Sequence, residues 1–313
     1  MKRILKLLVL AAMPLLIFAA CGEEDKTTPV SPQKTIAALV SETADLSLLK
    51  AAVVRAGLLE TLSKEDATFT VFAPTNDAFK AAGLDTEEKI KATPVENLKK
   101  IVLFHVLGTK YPASAIPDGT SELSTVNDLK SYVTKNKEGV FVNGVKVTKA
   151  DIDAKNGVVH LVGKVIMPPA GNIVEAAQAN PQLSYLVAAV VRASEGVTNV
   201  AKLLSEPGAY TVFAPTNDAF KAAGFATIDA IKAAKPDDLT AILTYHVIAK
   251  RVFSSDLTEG MKPEMLNKGM VTITLAGGAK VKGKNNNAPS NITITDVMAT
   301  NGVVHIIDGV LLP

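Results

Sequence analysis

The ten residues Thr70-Val-Phe-Ala-Pro-Thr-Asn-Asp-Ala-Phe79 recur without change as Thr211–Phe220. A ten-residue identity inside one chain marks a duplicated unit, so whatever the unit folds into must be folded twice. Three further landmarks give the period. Val53–Ala56 returns as Val190–Ala193 after 137 residues, His105 as His246 after 141, and Asn156-Gly-Val-Val-His160 as Asn301–His305 after 145. The drift predicts two four-residue insertions in the second copy, each in a surface loop where added length is tolerated. A period this long is the size of a whole domain rather than of a solenoid turn. The expected organisation is one domain over 35–169 and another over 171–313. They join at Pro168-Pro169-Ala170-Gly171, where two prolines stiffen the link.

The beginning of the chain reads differently. Met1-Lys2-Arg3 and Lys6 precede an apolar run, Leu7–Ala20, that ends in small residues. Residues 1–20 are therefore expected to be a secretory signal peptide, too short for a membrane span. Cys21, the only cysteine of the chain, follows directly. The placement resembles a bacterial lipobox, with Phe18 where leucine is usual. That resemblance implies cleavage before Cys21 and lipid attachment to it, and a lone cysteine has no disulfide partner within the chain. Residues 21–34, with Glu23-Glu24-Asp25 and two prolines, have no apolar periodicity and are expected to form a flexible tether. Gly22 after the cysteine resembles lipoproteins sent to an outer membrane. The expected location is a bacterial cell envelope, lipid-anchored at the outer membrane on its periplasmic or exposed face. Removing Lys2, Arg3 and Lys6 takes the formal charge from +2 to −1, which leaves no basic footprint for nucleic acid.

Each copy places helical patterns first and strand patterns later, which argues an α+β domain. Ile36, Leu39 and Val40 share one helix face, and Leu48, Leu49, Ala52 and Val53 another. Thr68–Ala73 alternates as a strand that Pro74 ends. Thr75 then stands as an N-cap, with Asp77 in the first turn and Gly83 after the last, and Thr216 repeats the pattern. Thr93-Pro94-Val95-Glu96 reads as a capping box opening a helix whose apolar face is Leu98, Ile101, Val102 and His105. Asn143-Gly144 signals a hairpin turn, and Val158–Met167 and Val303–Leu312 read as closing strands.

The chain has four histidines, His105, His160, His246 and His305, and they form two equivalent pairs. Each sits in an apolar helix face or strand. Such a ring is expected to be buried and neutral, bonding backbone groups rather than a metal or a substrate. No His-x-x-x-His, Cys-x-x-Cys or Gly-x-Ser-x-Gly spacing occurs, so no catalytic residue, cofactor or metal is expected. There is no tryptophan, and the five tyrosines do not cluster as a stacking platform for sugars.

The decapeptide, the Tyr245-His246 pair and Asn301-Gly-Val-Val-His-Ile-Ile-Asp-Gly-Val-Leu-Leu-Pro313 together resemble the fasciclin-like domain family. The first copy departs at Phe104 and at Leu161-Val-Gly-Lys164. The resemblance implies two tandem domains, each a β-wedge or sandwich decorated by helices. Thr75, His105, His160, Thr216, His246 and His305 are then structural motif positions. It also implies a non-catalytic role in adhesion or extracellular binding. The partner would be an envelope or matrix protein or polysaccharide, and two sites on one tether would add avidity. The alternative is a carrier of a small apolar ligand or polysaccharide fragment. In some animal relatives an Asp-Ile pair just upstream of the second motif is implicated in receptor adhesion. Asp151-Ile152 matches it in the first copy and Asp296-Val297 stands there in the second. The same residues also suit a strand end before a turn.

Overall fold

A computed structural model describes residues 33–313, so Cys21, the signal peptide and the tether before Gln33 lie outside it. Each copy opens with short helices: Ile36–Glu42, Ser47–Arg55 and Leu59–Ser63 in the first, Ile173–Gln178, Ser184–Ala193 and Val200–Ser205 in the second. The decapeptide follows as a strand and a helix, Phe69–Pro74 with Asn76–Ala81 and Tyr210–Pro215 with Asn217–Ala222. Thr75 Oγ1 accepts the Ala78 amide at 3.3 Å and Thr216 Oγ1 the Ala219 amide at 3.2 Å, closing one free donor at each helix start.

The strands of the first copy form a seven-stranded sheet. In spatial order they are Val106–Leu107, Phe69–Pro74, Gly157–Val162, Val145–Ala154, Gly139–Val142, Lys130–Asn136 and Gly119–Ser124. Phe69–Pro74 runs parallel to Gly157–Val162, and the other neighbours are antiparallel. The second copy repeats the order with six strands, again with a parallel centre, Tyr210–Pro215 beside Gly302–Ile307. The protein is thus α+β, with each repeat a curled sheet carrying helices on one face.

The decapeptide strand alternates as expected, yet every position from Phe69 to Pro74 is buried. The reason is that each repeat has two cores. Val71 and Ala73 face the helices and pack with Ile36, Leu49 and Val102. Phe72 faces the other way, into the curl of the sheet, with Val133, Val142 and Val162. Phe213 does the same beside Ile273, Val281 and Ile307. Burying both faces of a strand removes its solvent side and leaves Thr70 as its one polar side chain, satisfied by the Thr109 carbonyl.

Several local expectations differ from the structure. Thr93 does not cap the helix Val95–Phe104: its hydroxyl donates to the Lys89 carbonyl at 3.0 Å, closing the preceding helix Glu87–Ala92, and Pro94 takes the cap position without a side-chain bond. The closing strands end at Val162 and Ile307, shorter than the apolar runs that announce them. The insertions are larger than the net drift. Six residues separate Ala193 from Val200 where Gly57 alone separates Ala56 from Leu58, and eight separate Val281 from Ser290 where two separate Val142 from Val145. Small deletions elsewhere conceal the difference, because a repeat period records only the balance. Both additions lie between regular elements, and Val197 in the first is 95 % exposed.

The two copies pack into one unit spanning Lys34–Pro313. At their seam the Tyr132 ring of the first copy lies 4.3 Å under the Arg251 guanidinium and 5.7 Å from the Phe253 ring of the second. Asn136 Nδ2 donates to the Ser255 carbonyl at 3.1 Å. The hairpin turn at Asn143-Gly144 reaches Asp296: a Cβ on Gly144 would lie 2.5 Å from that carboxyl. With φ at +80°, Gly144 is also left-handed, so both turn and seam require glycine there.

Candidate functional site

The repeated Asn-Gly-Val-Val-His segment builds the site. Asn156 and Asn301 are buried, and every polar atom of each side chain is engaged. Oδ1 accepts the first helix amide, Ile36 at 2.8 Å or Ile173 at 3.0 Å. Nδ2 donates to the Leu62 and Lys64 carbonyls, or to those of Leu204 and Glu206. One amide therefore ties two helices to the central strand. The glycine that follows permits the parallel pairing, since a Cβ on Gly157 would overlap the Phe69 carbonyl and one on Gly302 the Tyr210 carbonyl.

His160 and His305 lie on these strands, buried, and hold the neighbouring strand open. In each, Nδ1 accepts a backbone amide, that of Asp151 at 3.1 Å and of Asp296 at 3.2 Å. Nε2–H donates to the Tyr111 carbonyl at 2.9 Å or the Val252 carbonyl at 3.0 Å. His105 and His246 adopt the opposite tautomer: Nδ1–H donates to the Ile101 or Ile242 carbonyl at 2.8 Å, and Nε2 accepts the Ile166 or Leu311 amide at 2.9 Å. Burial holds all four rings below the ordinary histidine value, and pushes His105 and His246 to about 4. Each ring is neutral with both nitrogens committed to backbone, which leaves no lone pair for a metal and no proton to exchange. Among the described residues no three His, Cys, Asp or Glu side chains converge as a metal set.

Asp151 and Asp296 are not at strand ends. Both lie within ten-residue strands, Val145–Ala154 and Ser290–Ala299, at a β-bulge where the register slips. Their φ values are +58° and +63°, a left-handed conformation that aspartate tolerates better than most side chains. The bulge frees each amide for its histidine and turns each carboxylate toward a short 3₁₀ turn. Asp151 Oδ1 accepts the Ala113 amide at 2.8 Å, while Asp296 accepts the Ser254 amide at 2.7 Å and the Ser254 hydroxyl. Ile152 and Val297, next along, are half-buried and pack on the helix-side cores.

The two bulges differ in what covers them. Asp151 is exposed, flanked by the surface ion pair Lys110–Asp153. Asp296 is half-buried against Gly144 of the first copy, and the adjoining Asp256 carboxyl is pushed up by burial, with the Asp296 charge adding to the effect. Arg251 and Phe253, which flank the second bulge, have Lys110 and Pro112 as counterparts in the first. The equivalent candidate surfaces are thus displayed unequally: one faces solvent and the other forms the seam. Sequence reasoning missed the asparagines altogether, as well as Thr70 and Thr211, whose hydroxyls donate at 2.6 Å to the Thr109 and Lys250 carbonyls. Their signal was identity between copies at polar residues inside apolar segments.

Among the described residues no helix is long and apolar enough to cross a membrane. The chain is similar to transforming growth factor-beta-induced protein ig-h3 of Oryctolagus cuniculus, 29 % identical over 78 % of this chain and 35 % of that protein. It is 38 % identical to protein sll1483 of Synechocystis over 50 % of this chain and 89 % of that one. It is 36 % identical to the immunogenic protein MPT70 of Mycobacterium tuberculosis over 44 % of this chain and 67 % of that one. The chain spans about a third of the length of the animal relatives it matches. A solved fasciclin domain pair from the insect cell adhesion molecule Fasciclin I aligns over 85 % of this chain and 96 % of that one, with 18 % identity and a TM-score of 0.41. The Fasciclin domain model matches twice, over residues 44–168 and 181–313, and the chain belongs to that family.

Proposed function

We propose that this protein is a non-catalytic adhesion or extracellular binding protein, anchored through lipid on Cys21 to a bacterial outer membrane. Its working surface is the exposed bulge of the first repeat. The observation that carries this reading is the unequal display of two equivalent bulges: Asp151 faces solvent, while Asp296 is covered by the hairpin turn of the first repeat. An exposed carboxylate held by its own backbone in a fixed direction presents a charge to a partner at little ordering cost. The partner is an envelope or matrix protein or polysaccharide with a cationic or hydrogen-bond-donating group. Because the second bulge is used internally, the repeat orients one site and does not double it, and the avidity expected of two sites is replaced by rigidity.

Asp151→Asn keeps a residue suited to the left-handed conformation and removes only the charge. It is expected to weaken retention of the purified chain on envelope polymers at least fivefold, while Asp296→Asn leaves retention unchanged. Labelled fatty acid is expected to enter the chain in cells and to be lost in Cys21→Ser. Equal retention of both aspartate variants and the parent would overturn the surface assignment, and unlabelled parent protein would overturn the anchor.

A further inference from the structure

The helix-side core of the second repeat contains a void. It measures about 80 Å³ and lies between the helices Ile173–Gln178, Ser184–Ala193 and Val200–Ser205 and the central strands. At two positions lining it the second copy carries the smaller side chain. Ala177 stands where the first copy has Val40, in helices whose opening amides bond the equivalent Asn301 and Asn156. Ala201 stands where the first copy has Leu59, three residues before the carbonyls of Leu204 and Leu62 that the same asparagines hold.

The mouth of the void is changed in the same direction. Val187 replaces Lys50, and Val174 replaces Ala37. With Val191, which is 55 % exposed, they set an apolar rim around an apolar hole. No carboxylate, lysine or arginine side chain lines the space. Gln178 at the edge is exposed and offers the one flexible polar group. His246 contributes only its ring face, because both nitrogens are bonded to backbone.

We infer that the second repeat binds the end of an n-alkyl chain, inserted between these helices and the sheet, with the polar head left at the Gln178 rim. Size and wall chemistry decide the class. A cavity of roughly 150 Å³ is what accommodates a benzene ring, so half of that admits a narrow chain end and excludes an aromatic ring. A charged head finds no counter-charge among the lining residues, so the alkyl part alone is recognised. The site lies on other elements than the Asp151 bulge, and the two readings stand or fall separately.

The test is a titration of the purified full chain with 1-decanol and, separately, with benzene, followed by the melting temperature. Saturating 1-decanol is expected to raise it by about 4 °C and benzene to leave it unmoved. Ala177→Val with Ala201→Leu restores the residues of the first copy and is expected to abolish the decanol shift. Should that variant misfold, Val191→Glu places a charge on the exposed rim without touching the core and is expected to weaken decanol binding at least tenfold at an unchanged ligand-free melting temperature. No decanol shift in the parent, an equal shift with benzene, or full binding in Val191→Glu would each overturn the assignment.

Discussion

The two repeats share one polar skeleton and differ in almost everything that covers it. Asn156 and Asn301, Thr70 and Thr211, and the two histidine pairs make the same bonds to within a few tenths of an ångström. Around them, Asp151 is open and Asp296 closed, Phe104 is replaced by Tyr245, and Val40 gives way to Ala177 beside a void of about 80 Å³. The comparison teaches where this fold is specified. Buried polar groups must have partners, and their exchange leaves orphaned backbone, so they stay. Packing volume and surface cover can change by a methyl group or a charge at modest cost, so they diverge.

The strongest way to break this comparison is to remove the skeleton. Asn156→Ala leaves the Ile36 amide and the Leu62 and Lys64 carbonyls without their partner, and Asn301→Ala does the same for Ile173, Leu204 and Glu206. Each is expected to cost more than about 4 kcal/mol by urea unfolding, and the two costs should agree within about 1 kcal/mol. A large loss in one repeat beside a small loss in the other would show that the shared bonds do not carry shared energy.

Acid sharpens the comparison next. The buried His105 and His246 titrate at about 4 in the folded protein, against an ordinary value of 6.5. Between those pH values the unfolded chain binds protons that the folded chain excludes, so stability is full above pH 6.5 and falls as the pH drops toward 4. The loss is about 3 kcal/mol per repeat, read from urea midpoints across the range. The repeats should then part company at the acid end. Asp256, raised by burial, has no partner in kind in the first copy, where Ala115 stands. A raised carboxyl contributes stability at low pH that is lost as the pH rises, so the second repeat is expected to lose less than the first as the titration continues downward. Parallel curves to the lowest pH would remove that distinction.

The smallest effect tests the divergent surface. Tyr245 Oη donates to the Met270 carbonyl at 2.5 Å and accepts the Lys284 amide at 2.9 Å, pinning the longer loop that precedes Ser290. Tyr245→Phe recreates the aromatic of the first copy and is expected to cost about 1 kcal/mol, with faster proteolysis confined to the 283–289 loop. Unaltered stability and cleavage would mean that the loop holds itself.

Much of the scaffold was legible because duplication acts as an internal control. The α+β class followed from helical periods preceding strand periods, and the caps at Thr75 and Thr216 from a hydroxyl placed before an acidic first turn. What escaped was long-range. Nothing in the alternation of Thr68–Ala73 says that its neighbour is parallel, since pairing partners are set by the whole topology. The bulge at Asp151 and Asp296 reads in sequence as a strand end, because a left-handed aspartate has the same composition signal in either place. At Thr93 a local motif lost to a nearer acceptor, the Lys89 carbonyl. The seam was invisible because Tyr132 and Arg251, 119 positions apart, carry no pattern that links them.

The parallel centre of each sheet has a consequence for how the chain is made. Gly302–Ile307 sits between Ser290–Ala299 and Tyr210–Pro215, so the middle of the second sheet is supplied by the last strand of its repeat. Its helices and outer strands must wait, unclosed, until that strand is made, and the contact that closes them spans about ninety residues. Loss of Gly302–Ile307 would therefore remove a keystone and not a fringe. A repeat that cannot lock before its final strand is made remains threadable until then.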